Sequence, residues 1–285
     1  MKKQRFFVTM AILILALTSV ACGTTGFGFV RGSGRLETET HALDNVTGVE
    51  LATFGDLTIA LGDKEELRIK AEDNLLPYFE IGVSGGHLTI GSKSDVSLRP
   101  TKSVNFYLTV KSLDTIVLSG SGNITAPDLE AASIAVTIDG SGNVTLEDLD
   151  ATDIALRING SGNLTASNCA ATGADIRIGG SGDVSLDKLA AETLDVRIPG
   201  SGKVDIAGGE VARQSVSIGG SGDYRARNME SASAEVDILG SGSVTMRANE
   251  HLDIHIAGSG DVAYAGQPTV DQQISGSGDI TRLGE

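Results

Sequence analysis

The chain has 285 residues, 37 of them Gly, and carries 22 Lys and Arg against 37 Asp and Glu, a formal net charge of −15. That balance excludes nucleic acid as a partner, because phosphate binding draws on a surplus of Lys and Arg that this chain lacks. With no Trp and 4% aromatic residues, it is also poorly equipped for the stacking clefts that many sugar sites use.

Residues 1–21 read as an export leader. Lys2, Lys3 and Arg5 open it, an apolar run from Phe6 to Leu17 follows, and Ser19-Val20-Ala21-Cys22 closes it. The run is shorter than the roughly 20 apolar residues of a spanning helix. Small residues ahead of a Cys resemble the lipobox of bacterial lipoproteins, with Ser19 where Leu is usual. Cys22 is therefore the expected lipid attachment point, and ordinary signal cleavage in the same region is the alternative. Loss of the leader removes basic residues and no carboxylate, so an anionic membrane repels the acidic body and the lipid is the tether. The expected address is the cell envelope, with residues 22–33 as a flexible link.

Residues 34–118 form a less regular stretch. The phrases Gly32-Ser33-Gly34-Arg35-Leu36, Phe54-Gly55-Asp56-Leu57-Thr58-Ile59 and Gly85-Gly86-His87-Leu88-Thr89-Ile90 resemble Ser121-Gly122-Asn123-Ile124-Thr125 of the stricter region that follows. They read as three irregular coils, with Ile81 and Val83 as paired inward positions before the third. A separate small β domain over residues 35–115 is the alternative.

From residue 119 to 285 the chain is a repeat. Gly-Ser-Gly triplets begin at Gly120, Gly140, Gly160, Gly180, Gly200, Gly220, Gly240, Gly258 and Gly276. Two residues before them stands an unbroken column, Ile138 through Ile158, Ile178, Ile198, Ile218, Ile238 and Ile256 to Ile274, and Val136, Leu156 and Ile176 open a second column two residues earlier. Such alternation is a strand signal, and a fixed period means that each unit buries its apolar face only by stacking on neighbours. The chain is predicted to be an all-β, single-stranded β-helix of about 20-residue coils, twelve with the irregular ones, about 55 Å long at the usual inter-strand spacing. Gly at each corner suits either a positive φ or the close approach of neighbouring coils.

Several outward columns carry polar chemistry. Asn123, Asn143, Asn163, Asp183 and Asp223 share one, continued by Asp261 and Asp279; side-chain ladders are the structural reading and an acidic strip for divalent cations the other. Arg157, Arg177 and Arg197 form a second, flanked by Asp175 and Asp195, suited to cross-strand pairing or to an anionic ligand. His251, Asp253 and His255 project from one strand and are the nearest approach to a metal site, although residues two apart lie about 6.6 Å apart, so all three converge poorly on one ion. Cys169 falls in the inward column of Leu149 and Leu189 and reads as core filler. Neither a Ser-His-Asp grouping nor a phosphate loop is present in the sequence, and no cofactor is expected.

The run Glu72-Asp73-Asn74-Leu75-Leu76-Pro77, the phrase Gly86-His87-Leu88-Thr89-Ile90 and the onset Leu118-Ser119-Gly120-Ser121-Gly122-Asn123-Ile124 together resemble the head GIN domain family of putative auto-transporter adhesins. The resemblance covers residues 30 to 285. It implies a right-handed β-helix and an exported or lipid-anchored envelope protein, and it supplies no catalytic motif. The expected function is a non-enzymatic adhesin or surface scaffold whose partner is a surface glycan or protein. A polysaccharide lyase or hydrolase on a lateral groove, by fold analogy alone, and a small-ligand or metal-binding module are the alternatives.

Overall fold

The computed structural model describes residues 28–284, and Cys22 with the whole leader lies outside them. Among the described residues the chain is all-β, with one 3-10 turn at Leu76–Tyr78. Its repeat region is a β-solenoid of about eight turns, as the nine triplets, which bound eight intervals, require. At the usual spacing this stack is about 38 Å tall.

The strand Val144–Ile158 shows how one turn is made. Val144, Leu146, Leu149, Ala151, Ile154, Leu156 and Ile158 are buried, and the alternation skips at Glu147-Asp148 and Thr152-Asp153, where two exposed residues follow one another. A skipped beat in a period of two turns the chain while keeping its apolar set inward, so each turn has three sides. The ladder omits Glu147 and Thr152 and otherwise runs parallel and in register, Val144 on Leu164 through Ile158 on Ile178. Like therefore stacks on like. The Ile column from Ile138 to Ile256 is fully buried, and each of these side chains contributes about 1.5–3 kcal/mol of burial. Ile274, on the last described turn, has no described coil above it and is 43% exposed.

The triplet glycines answer to close approach alone. None of the triplet glycines has a positive φ. A Cβ on Gly140 would lie 1.9 Å from the carbonyl oxygen of Gly120, and one on Gly142 only 1.6 Å from that of Gly122. Any side chain there would push the coils apart.

The first part of the chain departs from the expected series of coils. Gly48–Leu51 and Asp56–Leu61 run parallel beneath Thr115–Leu118 and Asn123–Ala126, so the Phe54-Gly55-Asp56 phrase is a true coil corner. Below it His87–Ser92 and Asn105–Val110 continue the two sides in parallel. Then the direction reverses. Phe79–Ser84 pairs antiparallel with His87–Ser92, and Leu36–Ala42 and Glu66–Glu72 add antiparallel strands to Asn105–Val110. The expectation of twelve coils fails at two phrases. Gly85-Gly86 is a hairpin turn with φ of 59° and 80°, the left-handed pair that a two-residue connection demands, and Gly32-Ser33-Gly34 precedes a strand paired only with Glu66–Glu72. Val83, expected inward, is 45% exposed because it lies on the outer hairpin strand. These reversed strands cover the N-terminal end of the stack, which blunts an edge that would otherwise template pairing. One hydrophobic core runs without interruption from Val46 to Val262.

The Glu72-Asp73-Asn74 run ties the entering chain to this cap. The Glu72 side chain is buried and accepts hydrogen bonds from the backbone N–H of Gly34 at 2.6 Å and from the N–H and hydroxyl of Thr101 at 2.7 and 2.5 Å. Asp73 binds the Ser33 hydroxyl at 2.5 Å and pairs with Arg35, while Asn74 donates to the carbonyl of Arg31 at 2.8 Å. Burial alone would raise the Glu72 carboxyl, but the donors from Thr101, Gly34 and Lys102 outweigh it and hold it below the ordinary carboxylate range.

Candidate functional site

The exterior is a set of columns, each holding one outward position from every turn. Directly after the triplets, the Asn123 amide donates to Asp56 Oδ1 at 2.8 Å. The backbone N–H of Asn143 donates to Asn123 Oδ1 at 3.1 Å, that of Asn163 to Asn143 Oδ1 at 3.1 Å, and that of Asp183 to Asn163 Oδ1 at 3.0 Å. Asp183 then accepts from the N–H of Lys203 at 2.8 Å, Asp223 from Ser243 at 3.1 Å, and Asp261 from Asp279 at 2.9 Å. From Asn143 onward a side-chain oxygen satisfies a corner N–H of the next turn, which exposed corners otherwise leave to water. Two shorter ladders stand at the same twenty-residue period: Asn159 donates to Asp139 at 2.7 Å and Asn168 to Asp148 at 2.6 Å.

On the side ending at each Ile column, Arg197 reaches Asp175 at 2.9 Å and Asp195 at 2.5 Å, and Arg157 lies 3.8 Å from Asp175. These carboxylates draw the guanidinium groups along the face. Arg177, in the same column, has no ion partner among the described residues. Farther along, His255 lies 3.3 Å from Asp237 on the turn below, whereas His251 lies 4.0 Å from Asp271 on the turn above. The two rings thus turn toward different neighbours, and Asp253 joins neither. Among the described residues no group of three or more His, Cys, Asp or Glu is placed to hold a metal ion.

Cys169 is 3% exposed within the core. Burial, reinforced by the Asp148 carboxylate, pushes its thiol up to about 12, so it has little thiolate at neutral pH and packs as a small apolar group.

A buried polar cluster escaped sequence reasoning. Gln214 occupies the inward column otherwise held by Ile154, Ala174, Leu194 and Ala234. Its Oε1 accepts from the Tyr224 hydroxyl at 2.7 Å, and its Nε2 donates to Ser231 Oγ at 2.7 Å and to the Arg247 carbonyl at 3.1 Å; Ser231 donates to that same carbonyl at 2.6 Å. The cause is the shortened repeat. Ser233 lies seven positions after Ala226, but their partners are closer, His251 lying five positions after Met246. The missing pair leaves the Arg247 carbonyl facing the bore, and a polar residue there supplies its donor. The change of triplet spacing from twenty to eighteen was the available signal.

The structure defines a repeat protein that displays polar columns on a filled β-solenoid. Residues 45–207 and 155–268 match the family described as "Putative auto-transporter adhesin, head GIN domain", and the chain belongs to it. Among solved structures it is similar to a putative adhesin from Parabacteroides distasonis, at 21% identity and a TM-score of 0.69 over 90% of this chain and 100% of that one. A putative adhesin from Parabacteroides merdae aligns at 21% identity and a TM-score of 0.66, over 90% and 99% of the two chains. A putative lipid binding protein from Parabacteroides distasonis aligns at 24% identity and 0.65, again over 90% and 99%. No curated protein matches the chain.

Proposed function

We propose that this protein is an exported, non-enzymatic adhesin or surface scaffold, tethered to the envelope through lipid on Cys22. The observation that carries the reading is the in-register exterior: every turn presents its outward groups directly above those of the turn below. A partner with its own repeat engages several such rows at once, and linked weak contacts multiply into avidity. Membership of an adhesin family supports the same reading. The corner Asn oxygens are committed to backbone N–H groups, so the contacts fall to exposed columns without that duty, such as Thr125, Thr145 and Thr165.

Cells displaying the wild type are tested for attachment to immobilised glycans and surface proteins, beside cells carrying Cys22→Ser and the triple variant Thr125→Val, Thr145→Val, Thr165→Val. Cys22→Ser is expected to lose fatty-acid labelling and release the protein, and the triple variant to lose more attachment than its single changes combined. Depolymerisation of a polysaccharide by the purified protein, abolished by one carboxylate substitution that leaves the fold intact, overturns the non-enzymatic reading.

A further inference from the structure

The chain enters its fold through a face unlike the rest of its acidic surface. Gly28–Arg31 pairs in parallel with Val96–Arg99 in a two-stranded sheet separate from the solenoid. Alternation sorts the side chains of this sheet. Val30 and Leu98 pack against the hydrophobic core, while Phe29, Arg31, Ser97 and Arg99 are exposed on the opposite face.

No carboxylate balances that face. Arg31 stands directly opposite Arg99, a like-charge pairing that is unfavourable unless an anion lies against it. Neither guanidinium has a carboxylate partner among the described residues, and Arg99 instead lies 4.7 Å from the Phe29 ring centroid. Residues 28–36 and 96–102 contain Arg35 and Lys102 as well, and no Asp or Glu. Of the carboxylates nearby in sequence or contact, Glu72 is buried, Asp73 is committed to Arg35 and Ser33, and Asp95 lies outside both strands. Phe29 is 60% exposed, the one exposed aromatic among the described residues. An exposed ring between arginines suits an anionic membrane surface, where the ring enters the acyl boundary and the guanidinium groups stay with the phosphates.

A patch this small binds weakly when free, but it sits beside the proposed anchor. Gly28 lies six positions after Cys22, at most about 22 Å of extended chain, so a lipid on Cys22 holds the face near the bilayer at high effective concentration. We propose that Phe29, Arg31 and Arg99 form the membrane-contacting face of the mature protein and dock it on anionic lipid headgroups, while the acidic repeats are repelled from the same surface. This docking rests on the lipid tether of the proposed function.

Tether and face are tested apart. The mature chain, residues 22–285, is coupled through the Cys22 thiol to maleimide-bearing lipid in vesicles, which imposes the tether whether or not cells acylate that residue; the buried Cys169 does not compete. The chain has no Trp, so Phe29→Trp supplies a single indole. On phosphatidylglycerol vesicles its emission is expected to shift to the blue and to be quenched by brominated acyl chains. Arg31→Gln and Arg99→Gln, each added to that variant, should lower the ratio of docked to undocked protein about fivefold, and phosphatidylcholine vesicles should lower it further. On the wild type, phenylglyoxal should label Arg31 and Arg99 about fivefold more slowly on phosphatidylglycerol than on phosphatidylcholine vesicles, with the exposed Arg177 unchanged, a comparison that needs no variant to fold. Quenching that persists without both arginines, equal labelling on the two lipids, or the same protection by inorganic phosphate without vesicles overturns the proposal. Cells whose Cys22→Ser protein keeps its fatty-acid label refute the tether instead, a result distinct from all of these.

Discussion

Inside the bore, the Tyr224 hydroxyl donates to Oε1 of Gln214 at 2.7 Å, joining two adjacent turns beside the buried Ser231. Burial pushes the Tyr224 phenol up, so it stays protonated and remains a donor at neutral pH. Tyr224→Phe strands the Gln214 oxygen and should cost about 1–3 kcal/mol. Adding Gln214→Leu removes the stranded acceptor, while Ser231 still serves the Arg247 carbonyl. The double variant is expected to lose less than the two single losses combined, as urea unfolding midpoints would show.

Corner geometry makes a sharper contrast between adjacent residues. Gly142→Ala places a methyl 1.6 Å from the Gly122 carbonyl oxygen and should cost at least about 3 kcal/mol, because backbone on both turns must move. Ser141→Ala, with its side chain exposed, should stay within about 0.5 kcal/mol. Thermal melts of both proteins check the pair, and equal losses would mean that the triplet is required as a whole.

The Ile column and the Arg column differ by one residue and by one face. Ile198→Asp puts an unpaired carboxylate between Ile178 and Ile218, all fully buried, and should cost several kcal/mol, of the order of 4 or more. Arg197→Gln removes pairs with Asp175 and Asp195 from a side chain that is 47% exposed, where screening limits the loss to about 1 kcal/mol or less. Denaturant titration of the two variants reads this difference directly.

Acid should loosen the cap through Glu72. Its carboxyl is held below the ordinary value of 4.5 in the folded chain, so its contribution to stability is complete above that value and is lost as pH falls through the lower, folded one. Glu72→Gln should be less stable than wild type at pH 7, with the gap closing below about pH 4. Melting temperatures measured from pH 7 to pH 3 check the sign; a gap that widens in acid contradicts it.

Cys169 should behave as packing. With its thiol at about 12 and 3% of its surface exposed, it is expected to resist iodoacetamide at pH 8 in the native protein and to react once urea opens the coil. In a Cys22→Ser background the mass shift reports this residue alone.

Repetition made most of the fold readable. A single Ile at position 158 says little, but the same residue in the same place through successive turns fixes both period and inward face. The hairpin at Gly85-Gly86 was hidden for the same reason: Gly86-His87-Leu88-Thr89-Ile90 spells the phrase of a coil corner, and only the left-handed φ of both glycines separates a reversal from a bend. Gln214 stayed illegible because its partners, Tyr224, Ser231 and the Arg247 carbonyl, come from other turns, and one is backbone. The corner Asn column was visible as a pattern, whereas the destination of its oxygens, the N–H of the turn above, depends on stacking geometry.

The two ends of the described solenoid are unlike: the first is covered by reversed strands, and the last described turn leaves Ile274 exposed. Synthesis proceeds from the first end. The cap and the turn on Gly48–Leu51 and Asp56–Leu61 are therefore synthesised before the regular Gly-Ser-Gly repeats, so an edge that carries the register is available to each new repeat. Growth on a seed avoids the choice among nearly identical repeats that confronts a chain folding all at once. Order of arrival would then guard against a slip by one repeat, which the sequence of the columns hardly penalises.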